Sequence, residues 1–215
     1  MNELSNVTSK LPKEAWNKIV DTACDTFEKL IYPLTASTEG IGRLIERRFD
    51  QLEEEQKILA AKCLEEAAAK VKRAKQPKQK RSGDHVIKPA VVYEALNNAD
   101  NQTDQTIRSL WANLLANEFM EGDVHPEIAK ILGKITSHDA LLLHEIAQYD
   151  KKPITVMVLR ALASASTLGI YGDKRTFNHV HLKNLDLIQD LERTWCLTTT
   201  GREFMRCVSE PKSDC

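Results

Sequence analysis

Glycine and proline are scarce in this chain, 8 and 7 of 215 residues, and aromatic side chains make up only 6%. A sandwich or barrel of short strands needs frequent Gly/Pro turns with aromatic and β-branched runs between them, so this composition favours helices. Long apolar runs are missing as well. The longest are a handful of residues, against the roughly 20 that cross a bilayer, so no membrane span is expected. The first residues lack the charged-then-apolar layout of a signal peptide, which makes a cytoplasmic location the expectation. Five cysteines (Cys24, Cys63, Cys196, Cys207 and Cys215) form no C-x-x-C pair and are odd in number. Reduced thiols are expected, not a disulfide framework. No G-x-S-x-G, P-loop, H-E-x-x-H or G-x-G-x-x-G is present, so no catalytic residue, cofactor or metal is assigned. A net charge of −1 argues against a chain that binds polyanions over its whole surface.

What is there is a globular composition, 42% apolar and 28% charged, enough to build a real core. The expected architecture is mainly α. It has an N-terminal helical region at 1–75, a basic linker at 76–88, a central helical segment at 89–135 and a winged-helix-like unit with a small β-hairpin at 136–210. Pro12 starts the first helix, and Trp16, Ile19, Val20, Ala23, Phe27, Leu30 and Ile31 recur on one face. After the break at Tyr32-Pro33 to Gly40-Ile41-Gly42, one long amphipathic helix is expected from about Ile41 to Lys75. Its residues Ile45, Phe49, Leu52, Gln56, Leu59 and Cys63 are spaced as a short heptad. The stripe either packs on its own domain or forms a coiled coil with Gln56 setting register. A helix of about 35 residues would be about 50 Å long and would project beyond a compact domain, so a homodimer is expected through it.

Charge is concentrated between Lys70 and Lys88, where eight Lys/Arg face Asp84 alone. Pro77 and Gly83 punctuate this stretch, and it is expected to be a solvated, protease-sensitive linker. Its alternative role is contact with nucleic acid through Lys72, Arg73, Lys75, Lys78, Lys80 and Arg81, although no aromatic side chain interleaves to stack on bases.

The densest apolar stretch is 110-LWANLLANEFMEGDVHPEIAKILGKITSHDALLL-143. Ile107, Leu110, Trp111, Leu114, Leu115 and Phe119 define one helix face. Asn113 and Asn117 flank it, placed to cap or cross-link neighbouring backbone. Gly122-Asp123 ends the helix, and His125-Pro126 opens the next, with Ile128, Ile131, Leu132 and Ile135 as its buried stripe. Thr136-Ser-His-Asp139 has the form of a capping box before Ala140–Gln148. The stretch therefore reads as core and helix punctuation.

In the C-terminal third, His181–Leu187 is expected as a short helix with Leu182 and Leu185 buried. Leu187–Gln189 and Trp195–Thr198 are expected as a hairpin around Leu191-Glu-Arg193, and a helix begins at Thr198-Thr-Thr-Gly-Arg. With Asp139–Tyr149 and Thr155–Ala165 as earlier helices, this order looks like a winged helix. A recognition helix would offer Lys183, with Lys174, Arg175, His179 and His181, to DNA. The positive charge there is thin, with Asp190 and Glu192 on the wing, so a structural or protein-contact role is the stronger expectation. His179-Val-His181 lacks a third metal ligand at motif spacing. Arg175 and His181 have the R-x5-H form of HEPN ribonucleases, a spacing expected about once by chance in such a chain.

The run W-A-N-L-L-A-N-E … H-P-E-I-A-K-I-L-G-K-I-T-S-H-D-A-L-L-L resembles the signature of the abortive infection alpha (Abi-alpha) family of bacterial phage-defence proteins. There a Trp-Ala-x-Leu-Leu-Ala helix precedes His-Pro, an apolar helix and a Ser/Asp-Ala-x-Leu-Leu helix start. YPLTASTEGIGRLIERRFDQ and LKNLDLI…WCLTTTGREFMRC are similar to that family's earlier break and its ending. The resemblance spans most of residues 15 to 207. On it, Trp111, Leu114, Leu115, Asn117, His125 and Pro126 are the signature core. It implies a role in defence against phage and carries over no catalytic residue. The expectation is a non-enzymatic protein that binds a protein partner or phage component, or regulates an effector. The rivals are a ribonuclease using Arg175 and His181, and a winged-helix DNA-binding regulator.

Overall fold

The apolar stripe Ile45, Phe49, Leu52, Leu59 and Cys63 is buried, but on two helices instead of one. In the computed structural model, which describes residues 38–74, 86–98, 102–150, 176–191 and 194–211, α1 (Thr38–Gln51) stops and α2 (Glu54–Ala74) restarts two residues later. The reason is local. Leu52 N–H closes a tight turn on Phe49 O at 3.1 Å, and the Gln56 side chain reaches back to accept from Glu53 N–H at 3.0 Å. That is half of a capping box, in which the third residue of a helix satisfies the amide before it. Gln56 therefore starts a helix; it does not set the register of a coiled coil. Among the described residues no helix reaches about 50 Å, the longest being the 21 residues of α2, and the stripe is buried within the chain. The expected homodimer loses the argument on which it stood.

Three further helices complete this part of the fold: α3 (Pro89–Asn97), α4 (Gln105–Glu121) and α5 (Pro126–Leu132). The helix α4 packs along α2 and also against α3 and α5, while α1 lies on α3. Surrounded in this way, α4 is buried at every position from Trp111 to Phe119. A helix that is buried all round belongs at the centre of a bundle. The ends of α4 follow the sequence. Asp104 accepts from the N–H groups of Thr106 (2.7 Å) and Ile107 (3.3 Å), and Gly122 leaves the helix at φ 65, a conformation that costs glycine little. In the following stripe Ile128, Leu132 and Ile135 are buried, whereas Ile131 is half-exposed.

The remaining elements are α6 (Ser137–Asp150), α7 (Phe177–Asn184), β1 (Ile188–Leu191), β2 (Thr194–Leu197) and α8 (Thr199–Val208). The strands pair antiparallel, with Ile188 opposite Leu197 and Leu191 opposite Thr194. The helix α7 begins four residues earlier than the apolar spacing indicated, and Leu182 is buried while Leu185 is half-buried. The architecture is mainly α with one small hairpin among the described residues. The described residues fall into two compact units. One runs up to Lys134 and includes those from Cys207 onward; the other is Ile135–Arg206. The helices expected at Pro12–Ile31 and Thr155–Ala165, the hairpin turn at Glu192-Arg193 and the interior of the basic segment lie outside the described residues. Both flanks of that segment are anchored. Lys70 is buried, 3.3 Å from Glu66 and donating to Ser109 Oγ at 3.4 Å, and Lys88 donates through its ammonium to Gly122 O at 2.6 Å.

Candidate functional site: signature residues and the Asp139–His181 cluster

The polar residues of the central stretch are committed to helix ends. The last carbonyls of any helix lack an internal donor, and α4 supplies donors for those at the end of α8. Asn113 Nδ2 donates to Val208 O at 2.8 Å, and Asn117 Nδ2 donates to Cys207 O at 2.7 Å and Ser209 O at 3.0 Å. The amide-to-backbone role expected for this pair is therefore the one they perform. His125 Nδ1 accepts from Glu127 N–H at 3.2 Å, with Pro126 in the first turn of α5. Trp111, Leu114 and Leu115 are fully buried around these contacts.

Sequence reasoning passed over Glu118, which is 0% exposed. Its carboxylate accepts from Lys88 N–H at 2.5 Å and Val124 N–H at 3.1 Å, with the Lys88 ammonium 3.9 Å away. It thereby ties the chain entering α3 to the loop leaving α4. Burial pushes its carboxyl up to about 7, against the weaker downward pull of Lys88 and of the Val124 N–H. The folded protein then holds a proton that the unfolded chain, at 4.5, gives up. Its stabilising contribution is complete below 4.5 and lost as pH rises through about 7. A Glu118→Gln variant should show a flatter rise of instability between pH 5 and 8 in urea melts. The difference is at most roughly 3 kcal/mol at 1.36 kcal/mol per pKa unit; parallel profiles would reject the assignment.

In the second unit, the start of α6 forms the expected capping box. Thr136 donates to Asp139 Oδ2 through N–H (3.0 Å) and Oγ1 (2.8 Å), and Asp139 N–H returns to Thr136 Oγ1 at 3.3 Å. The structure adds partners from α7. Asn178 Nδ2 donates to Asp139 Oδ1 at 2.9 Å, and His181 Nδ1 lies 3.0 Å from Oδ2. Asp139 is 1% exposed. Burial alone would raise its carboxyl, but the N–H and hydroxyl of Thr136 and the His181 imidazole outweigh it, and the group sits below its usual range. An ionised carboxylate only accepts, so His181 Nδ1 carries the proton. The imidazole is 26% exposed and stacks on the Phe177 ring, with centroids 6.1 Å apart.

His181 is therefore a rigidly held imidazole. Arg175, its partner in the R-x5-H spacing, lies outside the described residues. His179 has different neighbours: Thr176 Oγ1 at 2.8 Å and the Trp195 ring at 5.0 Å. Burial lowers the pKa of its imidazole, and Glu145 partly opposes that. Among the described residues no group of three His, Cys, Asp or Glu side chains is placed to hold a metal ion. No described helix is long and apolar enough to cross a membrane. Of the cations considered for nucleic acid, Lys72 and Arg73 are exposed at the end of α2, where Arg73 pairs with Glu210 at 3.6 Å. Lys183 is exposed on α7, in the other unit. Lys75, Lys78, Lys80 and Arg81 lie outside the described residues.

The core of α4 and α5, the capping box of α6 and the α7–hairpin order together make up the pattern on which the resemblance rested. No curated protein and no solved structure matches the chain. The model of the family described as Abortive infection alpha matches residues 54–192, more than half of the 215. The chain belongs to the Abortive infection alpha family.

Proposed function

We propose that this protein acts in bacterial defence against phage, in the cytoplasm, as a non-enzymatic protein that binds a protein partner. One observation carries the reading: among the described residues, five polar side chains of the family-matched region, Asn113, Asn117, Glu118, His125 and Asp139, are engaged in the fold. Asn113 and Asn117 hold the end of α8, Glu118 clamps two loops, His125 caps α5, and both oxygens of Asp139 are occupied. A catalytic group needs a free atom within reach of a substrate, whereas a binding protein needs only a rigid surface. The winged-helix-like arrangement of α6, α7 and the hairpin supplies such a surface. It favours protein over DNA because Lys183 is the only Lys or Arg on α7, and duplex binding needs several phosphate contacts.

The test is phage plating of cells carrying the wild-type chain or a folded His181→Ala variant, beside incubation of both purified proteins with total RNA. Protection by both proteins with intact RNA is the expected result. RNA cleavage lost in the variant would assign the ribonuclease reading and overturn this one.

A further inference from the structure

We draw no further inference here: the strongest candidate, the exposed apolar side of α7 formed by Phe177 and Val180, carries nothing, because nothing in the structure shows what covers it.

Discussion

Replacing Gly201 by alanine is expected to unfold the C-terminal hairpin unit. A Cβ at this position would lie 2.0 Å from Leu187 O and 2.9 Å from its carbonyl carbon. Both are backbone atoms, so no side chain can swing aside. The close approach is built by the residues around it. Thr198 N–H donates to Leu187 O at 3.1 Å, its hydroxyl donates to Asp186 O, and the same oxygen caps α8 by accepting from Gly201 N–H at 2.9 Å. Asp186 turns the chain at φ 56 to make this possible, a conformation that aspartate tolerates better than most residues. Inserting a methyl group would separate α8 from the turn before β1, at a cost of about 3 kcal/mol or more. Thermal melts should show loss of the folded unit or insoluble protein. Gly133→Ala is the control. The three atoms nearest its Cβ would all belong to the Asn98 side chain, the first 2.8 Å away, on a backbone already helical at φ −62. That variant should fall within about 1 kcal/mol of wild type. Equal stability of the two variants would show that the Leu187–Gly201 approach is not needed.

The second large effect is expected at Asp139. Alanine there would leave Asn178 Nδ2, His181 Nδ1 and the Thr136 N–H and hydroxyl without their acceptor, and would remove the acid of the capping box. Loss of a cap costs about 1 kcal/mol, and removing the acceptor of four donors on exposed or half-buried residues adds about 1 kcal/mol, so a total near 2 kcal/mol is expected in urea unfolding. Asp139→Asn keeps the shape but presents an amide toward donors and should recover only part of the loss. The carboxyl is held below its unfolded value of 3.8. Its contribution is therefore present above that pH and lost as pH falls through the lower folded value. Wild type should lose stability on acidification below about pH 4, where both variants show a smaller acid slope. A wild-type acid slope equal to that of Asp139→Ala would place the acid sensitivity elsewhere.

Where local chemistry decides an element, the residues themselves reported it. Gly122, His125-Pro126 and the Thr136–Asp139 box mark helix ends through contacts two to four residues apart; the cap at Asp104 is as local but was missed. The hairpin and the α8 start followed the apolar spacing with shifts of one or two residues. The division of the long helix was local too, written in Glu53 and Gln56, but the heptad spacing obscured it because a two-residue break leaves the stripe on the buried side. Other features are not local. Asn117 reaches a carbonyl 90 residues away, Asp139 meets a histidine 42 residues on, and Glu118 joins amides at Lys88 and Val124. Periodicity shows which face of a helix is buried and says nothing of which distant backbone lies against it. By itself, then, the sequence determined the helical class, the caps, the hairpin and the family signature. Only the tertiary structure decided that the signature's polar residues serve the scaffold and that Phe177 is left in water, because both depend on which helix packs against which.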